Sequence, residues 1–171
     1  MSKKPGKDFE RDFVKSIPER CDVTRLKDAG GWSNATNMRF TSSNPCDFIV
    51  FSAQSNGSNG GVMYKLELKS TLGKSLPFGN IKSKNDKLTA KEASLKFIYK
   101  LEESESRGVW AGFIVNFRAT NQTFRVLASQ VAYFMVCTDR GSIPIAWFEE
   151  NAILIHQTLI RVRYKYDLVW L

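Results

Sequence analysis

The chain has little of what several common kinds of functional site require. It contains a single histidine, His156, so a histidine-based zinc site, a His-metal nuclease finger or a paired-histidine ribonuclease site cannot be assembled. The three cysteines show no Cys-x-x-Cys spacing, which argues against both a disulfide framework and a structural zinc site. We therefore interpret Cys21, Cys46 and Cys137 as reduced thiols.

Long hydrophobic runs are also missing. The longest apolar stretches fall far short of the roughly 20 residues that span a bilayer, and the lysine-rich N-terminus is not followed by the apolar segment of a signal peptide. We therefore expect a cytoplasmic protein with no membrane partner. The Gly-Lys-Ser sequence at 73–75 matches only the end of a phosphate-binding loop, because Leu68 stands where that motif requires glycine. A nucleotide cofactor is therefore not expected.

Length and composition fit one globular domain over residues 1–171. The hydrophobic content is 43% and the aromatic content 12%, which is ordinary for a chain that buries one core. Residues 22–39 are polar, contain two adjacent glycines and are predicted to form a loop or a flexible arm. Elsewhere, hydrophobic periodicity predicts an α/β fold, in which helices pack on a mixed sheet. The predicted helices are residues 7–16, 89–103 and 129–137, and the later predicted strands are 110–117, 123–127 and a last strand at the chain end.

Two short segments that carry charged side chains are predicted to pair as a β-hairpin. An apolar run begins at Asp47, and residues 62–69 alternate apolar with charged side chains, so Glu67 and Lys69 share one face of the predicted strand. The intervening residues 52–61 are rich in Ser, Asn and Gly, as is typical of a hairpin loop. Folding the chain about this loop places Asp47 opposite Lys69, within two residues. We therefore expect two carboxylates and a lysine to converge at the open end of the hairpin.

This combination of side chains suits metal-assisted hydrolysis of a phosphodiester. Carboxylates supply the hard oxygen ligands that Mg²⁺ prefers and that Mn²⁺ also accepts. An ammonium group can orient or deprotonate the attacking water and offset the charge that develops on the phosphate. A purely structural interpretation is the alternative, because an Asp after a proline commonly opens a strand or turn, and an alternating Lys-Leu-Glu-Leu-Lys strand is commonly half-buried sheet.

Longer motifs in the chain resemble a nuclease family. Pro-Cys-Asp at 45–47 with Glu-Leu-Lys at 67–69 is similar to the PD-(D/E)xK nuclease pattern, and Ser-Leu-Pro-Phe-Gly-Asn-Ile at 75–81 resembles the Ser-Phe-Pro-Leu-Lys-Asn segment of RecU-type Holliday junction resolvases. Residues 127–129, 142–144 and 163–167 also resemble that family's order of elements. The resemblance covers most of the chain. It implies a restriction-endonuclease-like α/β fold and a remote relative of these resolvases, from a bacterial cell or a phage-infected host.

The resemblance also implies a function. It indicates a Mg²⁺-dependent endonuclease that cuts branched DNA, above all a four-way junction, with Asp47 and Glu67 as metal ligands and Lys69 positioning or activating water. Paired symmetric nicks in a two-fold symmetric junction imply a homodimer. In many nucleases of this pattern a carboxylate from the first helix joins the metal site, which makes Glu10 a candidate third ligand. The alternative for Glu10 is a surface glutamate paired with a neighbouring cation of its own helix, Lys7 or Arg11.

Three departures from the family leave the choice of substrate open. The segment between Cys21 and Asn44 is shorter than the family's protruding stalk, the hairpin loop is longer, and Asn85 stands where the family usually has glutamine. One alternative is therefore a restriction-like or repair endonuclease that acts on linear duplex DNA. Another is a non-catalytic junction-binding protein that keeps the fold and the basic surface.

The net charge of +8 indicates a polyanionic partner. Lysines cluster directly after the predicted site, where they can follow phosphates, and an aromatic ring in the polar arm is a candidate for stacking on an unpaired base. For that ring, packing under a loop is the alternative. Basic residues of the N-terminal helix suit either DNA contact or a solvated face, and the cations at 161–165 are predicted to mark the exposed face of the last strand. The predicted DNA-binding residues are Lys74, Lys82, Lys84, Lys87 and Trp32.

Overall fold

A mixed six-stranded β-sheet with helices packed on it forms the framework of the protein. The computed structural model describes residues 5–26, 44–53, 60–78 and 90–171. Within these residues the helices are α1 (Pro5–Ser16), α2 (Ala90–Glu105), α3 (Ala128–Cys137) and α4 (Ile145–Asn151). The strands are β1 (Cys21–Arg25), β2 (Phe48–Ala53), β3 (Gly61–Thr71), β4 (Ser75–Pro77), β5 (Trp110–Phe117), β6 (Gln122–Leu127), β7 (Ser142–Pro144), β8 (Ile153–Ile155), β9 (Gln157–Ile160) and β10 (Arg163–Tyr166). The predicted α/β class with a mixed sheet is therefore confirmed.

The main sheet has the strand order β1-β2-β3-β5-β6-β8. Strands β3 and β5 run parallel, and the other neighbouring pairs are antiparallel. The connection between the two parallel strands contains α2, as a parallel pair requires a crossover. Two smaller pairs, β4 with β7 and β9 with β10, lie outside this sheet. None of the helices in the described parts of the chain is long and apolar enough to cross a membrane.

Both faces of the main sheet are covered. On one face α1 packs Phe9 and Phe13, which lie one turn apart on the same side of the helix, against Leu66 of β3 and Tyr166 of β10. On the opposite face the core is built by α2, α3 and α4 with the odd-numbered side chains of β5. Because β5 is covered on both sides, its residues from Ala111 onward are all buried. The sheet therefore provides a rigid base for the side chains at its strand ends.

The element boundaries agree with the predicted ones in most of the described chain. Strand 110–117 is confirmed residue for residue, and the first helix ends at Ser16, two residues before the proline that cannot continue it. The prediction of a loop over 22–39 is wrong at its start, because residues 21–25 form β1. Strand β1 is short, partly exposed and polar, and backbone pairing with β2 stabilises it rather than local propensity. The rest of that arm, residues 27–43, and residue 89, the predicted start of the second helix, lie outside the described residues.

Candidate metal centre

The predicted hairpin forms from β2 and β3. These strands pair antiparallel with Phe48 opposite Leu66, so Asp47, one residue before β2, lies beside Glu67. The backbone N–H of Asp47 donates to the carbonyl of Leu66 at 3.1 Å. Its side-chain Oδ2 accepts a hydrogen bond from the backbone N–H of Leu68 at 2.8 Å. The register therefore places Asp47 opposite Glu67 rather than Lys69, which is within the two-residue margin of the prediction.

Glu67 and Lys69 project from β3 toward the face of the sheet covered by α2 and α3. Glu67 pairs in register with Phe113 of β5 and is only 7% exposed. The Lys69 side chain is 45% exposed, and its Nζ lies 2.6 Å from Glu67 Oε1. A buried carboxylate thus lies beside an ammonium group that still reaches solvent. Asp47, itself partly buried, completes the group from the neighbouring strand.

The electrostatics of this group disfavour a charged Glu67. Burial is the largest influence and raises the pKa of the Glu67 carboxyl, the Lys69 ammonium lowers it, and the nearby Asp47 carboxylate raises it. The strand register, which brings Asp47 beside Glu67, accounts for this repulsion between the two carboxylates. A divalent cation placed between them would remove this repulsion and stabilise both charges.

A cavity of about 550 Å³ opens beside Glu67 and Lys69. Its walls are largely apolar and come from α2, α3 and the neighbouring strands, with Phe97, Phe113 and Met135 among them. These apolar neighbours explain why Glu67 is desolvated, since they offer its carboxylate no hydrogen-bond donors. The cavity therefore gives Glu67 a largely apolar surrounding, while the exposed part of Lys69 faces water.

The donor set fits Mg²⁺ with two protein carboxylates. Among the described residues no group of three or more His, Cys, Asp or Glu side chains is placed to hold a metal ion. Mg²⁺ is commonly bound through one or two carboxylates, with waters and substrate phosphates completing its octahedral shell. Asp47 uses Oδ2 for the Leu68 N–H, and within the described chain no hydrogen bond reaches its Oδ1. Asp47 and Glu67 would therefore hold the ion, and the remaining positions would go to water and a phosphate.

Glu10, the candidate third ligand, makes a different contact. Its Oε2 accepts a hydrogen bond from Arg25 at 2.9 Å, so it forms an ion pair at the end of β1. Glu10 thus forms a surface ion pair, as the alternative to a metal ligand predicts. The paired cation, however, belongs to β1 and not to α1. The expected partner Arg11 pairs with Asp8 instead. Arg25 lies opposite Phe48, the residue after Asp47, which puts the ion pair near the candidate centre without making Glu10 part of it.

The predicted DNA-binding residues fall mostly outside the described chain. Lys74 is described and lies exposed in the bend between β3 and β4, where its carbonyl accepts a hydrogen bond from the backbone N–H of Ile145. Its side chain therefore reaches solvent at the end of β3 that carries Lys69. The other four, Lys82, Lys84, Lys87 and Trp32, lie outside the described residues.

Three further residues near the centre were not predicted. Cys46 is buried beside Asp47, and burial, with the Glu67 carboxylate next in effect, raises the pKa of its thiol to about 11, so at neutral pH it is a packing group rather than a thiolate ligand. Lys65 shares the strand face of Glu67 and donates to Ser104 Oγ at 2.8 Å. Arg118 directly follows β5 and is exposed. Strand alternation predicts that Lys65 lies on the same face as Glu67. Its hydrogen bond to Ser104 of α2 could not be predicted, because it depends on how the helix packs on the sheet.

Replacing Glu67 by glutamine should stabilise the fold at neutral pH. The pKa of Glu67 is raised in the folded state, so folding favours its protonated form, and stability is lost as pH rises through that raised pKa. The neutral amide removes this penalty, with an expected gain of about 0.5–2 kcal/mol at pH 7. The gain should shrink as pH falls toward 4.5, the ordinary pKa of the group. Thermal unfolding of the wild type and of Glu67→Gln between pH 4.5 and pH 7 measures this gain in stability.

The matched control for this stability measurement is Glu103→Gln. Glu103 also pairs with a cation, Arg107, but its side chain is 61% exposed, so an exposed ion pair is removed with little change in stability. A Glu67→Gln protein that is less stable than the wild type at pH 7 would contradict the assigned burial penalty.

Comparison with known proteins gives no matching family model and no match among curated proteins. The geometry of the Asp47, Glu67 and Lys69 group and the sequence motifs are therefore the features that indicate a function.

Proposed function

We propose that the protein is a Mg²⁺-dependent endonuclease of the PD-(D/E)xK type with a restriction-endonuclease-like fold. The observation that carries the proposal is the meeting of Asp47, Glu67 and Lys69 at the open end of one hairpin. A purely structural hairpin has no need for a carboxylate that is almost fully buried at the expense of its own charged form. Destabilised charges of this kind are concentrated at functional sites.

Each residue of the group has a role in this chemistry. Bound Mg²⁺ would polarise the scissile phosphate and neutralise the charge that develops on it. The N–H of Leu68 orients the Asp47 carboxylate through its Oδ2, which leaves Oδ1 to act as a metal ligand. Glu67 supplies the second carboxylate from the paired strand. Lys69, next to Glu67 and partly in solvent, is placed to orient or activate the attacking water and to donate to a phosphate oxygen.

We propose a four-way DNA junction as the substrate. This choice rests on the resemblance to RecU-type resolvases, and one feature of the fold supports it. Two segments that resemble that family, beginning at Ser75 and at Ser142, are far apart in sequence and yet pair as β4 and β7. Their pairing brings the second segment close to the end of β3, next to the candidate metal centre. A junction has two-fold symmetry, so a homodimer would present one such centre to each of two opposing strands.

Substrate preference and assembly should be measured together. Light scattering is expected to give about twice the monomer mass, and single-turnover assays are expected to show faster cutting of a labelled four-way junction than of a linear duplex with the same arm sequence. The cuts should fall at symmetric positions on two opposing strands, because a two-fold dimer applies one centre to each.

Two other outcomes would replace this substrate assignment. A protein that is monomeric at micromolar concentration and cuts both DNAs equally fast would be a linear-duplex endonuclease. A protein that shifts the mobility of the junction in a native gel but cuts neither DNA with Mg²⁺ or Mn²⁺ would be a non-catalytic junction-binding protein.

A further inference from the structure

The β9–β10 pair forms a two-stranded ribbon outside the main sheet, with its tip at residues 160–163, and β10 lies along α1. Three apolar side chains near the tip are largely exposed, namely Leu159 at 57%, Ile160 at 53% and Val162 at 86%. At the base of the ribbon Tyr166 is buried among aromatic residues of α1. The ribbon is thus held against α1 along β10, while side chains of β9 and of the turn remain exposed. Large apolar side chains that are exposed together are typical of a contact surface.

The ribbon leaves the fold at the end of the sheet that carries the candidate metal centre. Register pairs join Ile155 of β8 to Thr123, Thr123 to Asn116, and Asn116 to Ser70, so these four residues form one row across the sheet. Ser70 directly follows Lys69. The ribbon begins two residues after Ile155, where Gln157 hydrogen-bonds to Asn121 in the turn between β5 and β6. The base of the ribbon and Lys69 therefore lie at the same end of the sheet.

The charge of the ribbon is positive. Residues 157–166 contain three cations and no acidic side chain. Arg163 forms ion pairs with Asp8 and Asp12 of α1, at 3.3 Å each, and these pairs attach the ribbon to the helix. Arg161 and Lys165 are exposed and form no ion pair within the described part of the chain. A third exposed cation, Lys15 of α1, lines the same surface depression as Lys165 and Arg163.

The turn of the ribbon holds Arg161 in a backbone conformation that favours glycine. Its φ angle is 60°, which is uncommon for a residue with a long side chain. Glycine or asparagine would fit this position with less strain. An arginine in this conformation at the exposed tip, next to the almost fully exposed Val162, therefore points to a role for its side chain outside the fold.

We propose that the β9–β10 ribbon is a second DNA-contacting element, in which Arg161 and Lys165 bind backbone phosphates and Val162 enters a groove or an opened base step. This inference rests on the proposed DNA substrate at the Asp47 and Glu67 centre. Two-stranded ribbons are a known way to contact DNA grooves, and apolar wedges between base steps accompany bent or opened DNA. A second copy of the chain suits this surface less well, because two ribbons of like charge would repel each other.

The test uses DNA binding in EDTA, so that binding is measured without cleavage. The variant Arg161→Asn/Lys165→Gln removes two charges, and asparagine also accepts the backbone conformation at 161. Its control, Lys100→Gln/Arg107→Gln, removes two exposed charges from the C-terminal part of α2 and the turn after it, at the opposite end of the sheet. Circular dichroism and thermal unfolding check that both variants fold. Fluorescence anisotropy then gives the affinity for a labelled four-way junction over a range of salt concentrations.

The ribbon variant is expected to lose affinity and to reduce the slope of log K against log salt by about 1.8, since each lost phosphate contact lowers it by about 0.9. The control should keep the wild-type slope. Val162→Ser should weaken binding at every salt concentration without changing the slope, because an apolar contact releases no counterions.

A ribbon variant with the slope and affinity of the control would overturn the inference. So would a variant that keeps its DNA affinity but no longer binds vesicles containing anionic lipid, because the ribbon would then contact a membrane. The ribbon hypothesis and the proposed nuclease function can be refuted independently of each other. A wild-type protein that cuts DNA while the ribbon variants bind normally would refute only the ribbon, and ribbon-dependent binding without metal-dependent cutting would refute only the nuclease.

Discussion

Replacing either carboxylate of the candidate metal centre by its amide is expected to slow DNA cleavage about a thousandfold while leaving DNA affinity close to that of the wild type. Asp47→Asn and Glu67→Gln each remove a ligand charge, and the loss of a metal that stabilises the transition state by about 4 kcal/mol lowers the rate about a thousandfold. Affinity for DNA in the proposed complex would depend mainly on phosphate contacts made by lysine and arginine side chains, which neither change removes.

The amides are chosen to keep the fold intact. The side chain introduced by Asp47→Asn retains a carbonyl oxygen that can accept the hydrogen bond of the Leu68 N–H, and the side chain introduced by Glu67→Gln fills the same buried volume as the carboxylate it replaces. Single-turnover cleavage with Mg²⁺ and junction binding in EDTA give the two quantities. Glu103→Gln serves as the control for a changed charge on an exposed surface. Wild-type cleavage rates in either amide variant would refute the assignment of that residue as a metal ligand.

Replacing Lys69 by methionine is expected to lower the single-turnover rate by about a hundredfold to a thousandfold. Methionine keeps an unbranched apolar stem but has no ammonium group to orient water or to balance charge on the phosphate. The 2.6 Å contact with Glu67 is also lost, which removes the largest influence that lowers the pKa of that carboxyl. Because metal binding needs the charged carboxylate, the variant should also require more Mg²⁺ at a given pH.

Lys65→Met is the matched control for this experiment. Lys65 lies on the same strand and the same face, but its Nζ donates to Ser104 on α2 rather than approaching the carboxylate pair. Rates are measured with saturating DNA over a series of Mg²⁺ concentrations. If both methionine variants lose activity equally, the role assigned to Lys69 is refuted. The loss would then follow from removing any positive charge on this face of β3.

The hairpin could be predicted from the sequence because its signals are local. Alternating side chains fixed the direction of Glu67 and Lys69, and the loop rich in Ser, Asn and Gly fixed the approximate register, which the pairing of Phe48 with Leu66 confirms. The burial of Glu67 could not be predicted in this way. It depends on Phe113 of the neighbouring parallel strand and on helices that follow much later in the chain.

The chain end illustrates the opposite case. One last strand was predicted, but the structure has three short strands, β8, β9 and β10. The break between the last two occurs at Arg161, whose positive φ angle makes a turn without the glycine or asparagine that normally signals one. The predicted exposure of Arg163 and Lys165 is confirmed, because alternation within β10 is a local property. The edge strand β1 was missed for the related reason that its stability comes from pairing with β2.

Metal-dependent cutting of DNA by the wild-type protein tests the central claim most directly. A four-way junction labelled on each strand in turn is incubated with the protein in Mg²⁺, in Mn²⁺ and in EDTA, and the products are separated on denaturing gels. We expect cuts with either metal, none in EDTA, and loss of the cuts in Asp47→Asn and Glu67→Gln. Cutting that persists in EDTA, or equal cutting by the wild type and both amide variants, would contradict a metal centre formed by Asp47 and Glu67.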